Sequence, residues 1–344
     1  MSDFIGVYEI AEIAGVTTAA ITNWRKRFDD FPNPISDLKS GPVFSKNQVI
    51  SWLRKRGKIM GAKVISTINL KGGVAKTTTS VGLAQVLSGA FGKKVLVVDL
   101  DPQTNATVML IGEEKWEELN KQGNTLVTLF KDAVNNTKTF DLSKTLQTSV
   151  SNISDVRTVD LLPSSIDLID VQDEIITMSS GKFYAANPTE ILRRELKPII
   201  NNYDYVIIDC PPNMGLITLN GLRTSNAYII PTIPDVLSTY GIPQIIARVK
   251  EFSETIGEAI VPLGIVATKV RGQSSLHQRT LQILQAGKKD APLFDTIFYE
   301  NNQMGEAAEY THVNTLRQKW GYQGQYDRFE SFAREVMKLC DEED

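Results

Sequence analysis

A doubly wound, mostly parallel α/β sheet preceded by a small helical head is the fold this sequence predicts, on three observations. Near-continuous apolar runs of strand length recur after residue 63 and are joined by helix-length connections. That pattern marks a parallel sheet covered on both faces. The composition changes around RKRGKIMGAK (54–63), before which short amphipathic segments alternate with turn-rich sequence. Charge follows the same division: residues 1–60 hold nine Lys/Arg against six acids, a balance of +3 in a chain of net charge −3, so the remainder sums to −6. With 344 residues, one large and one small domain is the natural arrangement. The expected bounds are 1–58 for the head, 59–62 for a linker and 63–344 for the large domain.

Several classes are excluded early. The apolar runs (VLVV, YVII, AYII) are too short to span a bilayer. The opening MSDFIGVYEI has an early acid and no long apolar core, unlike a secretory signal. Cys210 and Cys340 provide neither a disulfide framework nor metal-ligand spacing, and His277 and His312 add little to a zinc site. A reduced, cytoplasmic protein is the expectation.

In the head, GVYEIAEIAGVTTAAITNWRKRF (6–28) spaces Ala11, Gly15 and Ile21 as two short helices crossing at a tight turn require. Thr17 or Thr18 would cap the second helix. That helix would present Thr22, Asn23, Arg25, Lys26 and Arg27, residues suited to base edges and phosphates. FPNPISDLKSGPVFS (31–45) suits a β-wing, and Ser45-x-x-Gln48 reads as a capping box opening a helix with Val49, Ile50, Trp52 and Leu53. The IAEIAGVTTAAITNWRKR block, the FPNP turn and FSKNQVISWL together resemble the winged helix-turn-helix of the MerR-like and phage-terminase-like groups. The resemblance implies DNA binding, and a basic head on an acidic body agrees with it.

In the large domain, strands are expected at KVISTIN (63–69), KVLVVD (94–99), VDLLP (159–163), YVIID (205–209), AYIIP (227–231) and LGIVAT (263–268). YDRFESFAREVMKLCDEED (326–344) reads as an amphipathic helix with Phe329, Phe332, Ala333, Val336 and Cys340 on one face. Residues 113–154 are polar and weakly periodic, and carry no assignment.

The first of these strands runs into LKGGVAKTTT and then a helical pattern, the context a phosphate-binding loop requires. Gly72 and Gly73 permit close backbone approach, and the amides of Val74 and Ala75 lead into a helix N-terminus able to cradle phosphate oxygens. Lys76 would reach the β- and γ-phosphates, Thr77 would bind Mg²⁺ and Thr78 would help hold the α-phosphate. Ala75 stands where a glycine is usual, and Lys71 is a second lysine that one phosphate site does not need. VLVVDLDPQTNAT places Asp99 and Asp101 at a strand's C-terminal end, where ligands bind in open α/β sheets. YVIIDCPP ends another strand with Asp209, in the form of a Walker B acid that contacts Mg²⁺.

KGGVAKTT (71–78), DLDPQTNAT (99–107), LLPSS (161–165) and IIDCPPNMGLITLNGL (207–222) resemble the ParA branch of the ParA/MinD ATPases. The likeness extends over most of residues 63–344 and implies a P-loop NTPase fold that uses ATP/ADP and Mg²⁺. By that resemblance Lys71 is the signature lysine that crosses an ATP-sandwich homodimer, joining Lys76 in catalysis. Asp99 matches the acid that positions the attacking water, and Asp101 a structural or Mg²⁺-linked acid. The resemblance also implies nonspecific DNA binding in the ATP-bound dimer, with Arg248, Lys250 and Arg271 as candidates beside Lys269 and Lys288–Lys289.

Pro231, Pro234 and Thr268 fall where an adenine could stack. The acidic run 341–344 argues against the membrane helix of MinD-like members, and the two cysteines do not suit the iron-cluster branch. The implied function is a DNA partition ATPase, nucleoid-associated in the cytoplasm. Its slow hydrolysis would be stimulated by a ParB-like centromere-binding protein, and its head would repress its own operator. A nucleotide-switched transcription regulator and a positioning ATPase for non-DNA cargo are the rivals.

Overall fold

The computed structural model describes residues 4–38, 41–56, 58, 61–178, 187–287, 290–322 and 324–342. It divides into two compact units, Met1–Ala62 with Leu196–Asp204, and Lys63–Glu195 with Tyr205–Asp344.

The first unit contains β1 (Phe4–Gly6), α1 (Val7–Ile13), α2 (Thr18–Arg27), β2 (Ser36–Leu38), β3 (Gly41–Ser45) and α3 (Lys46–Lys55). Gly15 takes φ +62° in the turn between α1 and α2, a conformation that glycine adopts without a Cβ clash. Thr17 is the cap of α2, its Oγ1 accepting from Ala20 N at 3.3 Å. β3 pairs antiparallel with both β1 and β2, in the order β1-β3-β2. Ile10, Ile21, Phe44, Val49 and Leu53 are wholly buried. Phe31 packs edge-on against Trp52 and Phe44, with ring centroids 4.7 and 5.7 Å apart. The turn-rich sequence 31–45 thus forms a β-ribbon, with Lys39 and Ser40 outside the described residues.

The second unit is a seven-stranded sheet in the order β10-β9-β8-β4-β7-β5-β6. Its strands are β4 (Lys63–Thr67), β5 (Val95–Asp99), β6 (Val159–Leu162), β7 (Tyr205–Asp209), β8 (Ala227–Thr232), β9 (Val261–Val270) and β10 (Leu293–Tyr299). Every neighbouring pair is parallel. Between them run α4 (Lys76–Gly89), α5 (Asn105–Ile111), α6 (Glu113–Lys121), α7 (Leu126–Asn135), α8 (Leu142–Thr145), α9 (Leu168–Met178), α10 (Ile191–Leu196), α11 (Leu216–Thr224), α12 (Val236–Ile256) and α13 (Ser275–Ala286). After β10 come α14 (Asn302–Glu306), α15 (Leu316–Trp320) and α16 (Gln325–Glu342).

The central strands β5, β7 and β8 are buried at every position, which is why their sequences read as unbroken apolar runs. β10 escapes that pattern because Asp295 and Thr296 interrupt LFDTIFY at the sheet edge, where burial alternates. The polar segment 113–154 folds into α6, α7 and α8.

α4 lies inside the unit, buried from Thr79 to Ser88. Its Gly82 faces α16: a Cβ there would stand 2.2 Å from the Phe329 ring, so the contact requires a residue without a side chain. Phe329, Phe332, Ala333, Val336 and Cys340 form the buried face of α16, as the sequence predicts. Each of those phenylalanines contributes roughly 1.5–3 kcal/mol by leaving water. This packing fixes α4, and so the loop ahead of it.

Candidate functional site

The loop after β4 is held at its root by Asn69. Its Nδ2 donates to Pro231 O at 2.8 Å, and its Oδ1 accepts from Lys71 N at 2.9 Å. Gly73 then takes φ +74° and Ala75 φ +61°. α4 begins at Lys76, and Thr79 is the first of its residues whose amide donates back, to Ala75 O at 3.0 Å. Among the described residues, none of the amides from Gly72 to Thr78 donates to a protein acceptor. A run of such amides with alternating backbone handedness is an anion-binding concavity.

Ala75 carries a cost for its left-handed backbone that glycine would not. Ala75→Gly is therefore expected to stabilise the chain by about 0.5–1 kcal/mol, the strain relief less the added freedom of the unfolded glycine. The check is a raised denaturant midpoint at constant slope; a lowered one would contradict it.

Three acids sit at the C-terminal ends of two adjacent strands: Asp99 ends β5 with Asp101 two residues on, and Asp209 ends β7 in register with Asp99 and with Thr67 of β4. The Asp209 carboxylate is fully buried. Its Oδ2 accepts from Thr77 Oγ1 at 2.7 Å, and its Oδ1 lies 2.9 Å from Ser80 Oγ and 3.1 Å from Thr67 Oγ1. Burial raises its pKa to about 6 in spite of the Thr77 and Ser80 hydroxyls. Asp101 is 6% exposed and accepts from Gln103 N at 3.0 Å; burial raises its pKa too, against the pull of the Gln103 amide and the Lys76 ammonium. A cavity of about 980 Å³ opens above these groups, lined by Gly72, Gly73, Ala75 to Thr79, Asp101 and Gln103. Lys76 and Thr77 therefore face the same space as Asp101.

Asp99 does not reach that space. Its Oδ2 accepts from Thr107 N at 2.9 Å and Thr107 Oγ1 at 2.7 Å, and its Oδ1 accepts from Asp101 N at 3.1 Å. It is wholly buried, and burial together with the Asp209 charge holds its pKa well above the usual carboxylate range. The sequence pointed to Asp99 as the residue facing a water. In the structure Asp101 lines the cavity, whereas both Asp99 oxygens are taken up by Thr107 and the Asp101 amide.

Residues 62–261 match the AAA_31 family, described as an AAA domain. The chain is 30% identical over 248 residues to the sporulation initiation inhibitor protein Soj of Bacillus subtilis, covering 72% of this chain and 88% of that protein. It is 28% identical over 257 residues to the chromosome partitioning protein ParA of Myxococcus xanthus, covering 74% and 82%. The chain belongs to the ParA-type P-loop ATPases. Its fold is also that of cobyrinic acid a,c-diamide synthase from Mycobacterium smegmatis, solved with bound ADP and magnesium, at TM-score 0.62 and 23% identity over 82% of this chain and 97% of that one.

Within this ParA-type chain the far wall of the cavity, Thr268 apart, carries no signal in the local sequence pattern around the loop. It comes from the end of β9 (Thr268, Lys269) and from the β10–α14 segment, including Tyr299, Asn301 and Met304. The polar cluster Glu300-Asn301-Asn302 directly after a strand was the available signal. Of the three residues considered for adenine stacking, Thr268 lines the cavity; Pro231 lies inside β8, and neither it nor Pro234 does. Lys71, at the loop's mouth, does not line the cavity either. Its Nζ forms an ion pair with Asp235, the N-cap of α12, and its side chain is 40% exposed.

The cations suggested for DNA are differently placed. On α2, Thr22, Asn23, Lys26 and Arg27 are exposed, whereas Arg25 is half-buried with its guanidinium 5.1 Å from the Phe44 ring centre. Thr22 Oγ1 donates to Thr18 O at 3.0 Å, and the Arg27 guanidinium lies 5.6 Å from the Phe28 ring centre. Arg248 and Lys250 are exposed on α12. Arg271 makes a two-point pair with Glu300, at 2.6 and 3.2 Å, which neutralises its charge. Lys288–Lys289 lie outside the described residues. No helix among the described residues is long and apolar enough to cross a membrane.

Proposed function

We propose that this chain is a ParA-type DNA partition ATPase, which binds ATP and Mg²⁺ at the 71–78 loop and hydrolyses ATP as a dimer. The observation that carries this reading is the convergence of Lys76, Thr77 and Asp101 on one cavity beside a run of amides that, among the described residues, have no protein acceptor. Magnesium fits the donor set. Among the described residues no cluster of three or more His, Cys, Asp or Glu could hold a metal alone. Mg²⁺ needs no such cage, since it takes one or two protein oxygens and completes its shell with phosphates and water. Thr77 Oγ1 would supply one oxygen, with Asp209 and Asp101 accepting from its water ligands. Bound there, Mg²⁺ neutralises charge on the β- and γ-phosphates.

The chain's own groups do the rest. The amides and Lys76 orient the phosphates. Asp101 accepts a hydrogen bond from the attacking water, the role the family resemblance implied for Asp99, and Asp99 holds Asp101 through its backbone amide. Lys71 reaches the phosphates of a second copy, so ATP favours the dimer by contacts made only there. The dimer binds bulk DNA through exposed cations such as Arg248 and Lys250, and a ParB-like protein promotes hydrolysis and release. In the first unit, the exposed Thr22, Asn23, Lys26 and Arg27 support a winged helix-turn-helix that recognises an operator and makes the protein an autorepressor. Cytoplasmic, nucleoid-associated localisation follows.

Sedimentation with random duplex DNA tests the reading. With a nonhydrolysable ATP analogue and Mg²⁺ the chain is expected to sediment as a DNA-bound dimer, and with ADP as free protein. Equal DNA binding in both states would overturn the partition cycle and favour a regulator acting through its head alone.

A further inference from the structure

Two side chains at the end of β9 reach across to the phosphate loop. Thr268 Oγ1 donates to Val74 O at 3.0 Å, and Lys269 Nζ donates to Gly73 O at 2.8 Å. Thr268 is 2% exposed, so its hydroxyl bond is sheltered from water. Lys269 takes φ +49°, a left-handed backbone uncommon for a lysine and found where surrounding structure enforces it. The sequence gives Lys269 no such task, grouping it with surface cations that could meet DNA.

The two bonds act on consecutive peptide units. Among the described residues no peptide bond is cis, so in each unit the N–H points opposite to the C=O. Fixing Gly73 O and Val74 O toward β9 therefore turns the amides of Val74 and Ala75 away from it. Those amides are two of the seven that lack a protein acceptor. An unheld loop could rotate these peptide planes, and a rotated plane presents a carbonyl where a phosphate oxygen would sit. Lys269 adds a positive charge to its bond, which makes it the stronger of the two.

We infer that Thr268 and Lys269 are positioning residues: they lock two peptide planes of the loop so that the Val74 and Ala75 amides are aimed at phosphate before nucleotide arrives. This rests on the phosphate-loop reading above and adds the device that keeps that loop ready. It also explains a lysine at this strand end, because a neutral donor would leave Gly73 O with a weaker partner.

Equilibrium dialysis of the full chain against ADP and against adenosine tests it, since only ADP uses the loop amides. Thr268→Val combined with Lys269→Met is expected to weaken ADP binding roughly tenfold or more, the effect of losing about one charge-assisted hydrogen bond to phosphate. The melting temperature should stay near that of the wild type, and any loss of adenosine binding should be several-fold smaller than the loss of ADP binding. Thr268→Ser with Lys269→Arg, which keeps both donors, should restore ADP binding to within about threefold.

Unchanged ADP affinity in the Val/Met variant overturns the inference. So does an equal loss of ADP and adenosine binding, which marks a damaged pocket. Loss from Lys269→Met with none from Thr268→Val also overturns it, because Lys269 would then be a direct ligand. A wild-type chain that binds ADP no better than adenosine removes the phosphate-loop reading itself, a result distinct from the others.

Discussion

Lys71→Ala is expected to leave ADP binding intact, abolish ATP-dependent dimerisation and lower turnover by roughly 10³-fold or more, the scale of a cation supplied in trans to phosphoryl transfer. Lys71 stands beside the phosphate loop but does not line its cavity; its ammonium is paired with Asp235 at the start of α12. A lysine required by its own subunit's phosphates would face inward, as Lys76 does. The ion pair is partly exposed, so its hold is modest and a more highly charged phosphate can displace it. Sedimentation with a nonhydrolysable analogue and steady-state phosphate release are the measurements. Wild-type turnover in the variant would remove Lys71 from the mechanism.

The second large effect separates two neighbouring acids. Asp101→Ala is expected to bind ATP and hydrolyse it at least about 100-fold more slowly, as loss of a general base or water-orienting group does. Asp99→Ala should instead reduce stability by about 1–3 kcal/mol, because Thr107 N, Thr107 Oγ1 and Asp101 N all lose their acceptor in a buried setting. Single-turnover hydrolysis and denaturant titration tell these apart. Normal hydrolysis by Asp101→Ala would return the catalytic role to Asp99.

Much of the fold was legible because its central strands are buried on both faces and so spell continuous apolar runs. β10 was not, since an edge strand alternates and its polar Asp295 looks like a loop. In the site, the loop 71–78 and the acids were readable because backbone chemistry demands glycine, lysine and threonine at fixed spacing. The β10–α14 wall and the Thr268–Lys269 contacts come from residues about 190–230 positions further on, and no local pattern links them to the loop. Which of two acids one residue apart faces a cavity depends on how the chain turns after a strand, and side-chain type does not record that.

The contact between Gly82 and Phe329 has a temporal meaning. The phosphate loop lies in the first quarter of the sequence, yet the helix behind it rests on α16, the final helix described. During synthesis the loop therefore leaves the ribosome long before its support does. A nascent chain carries the lettering of a nucleotide site without the scaffold that keeps it in shape. The loop gains that support only once α16 has itself been made.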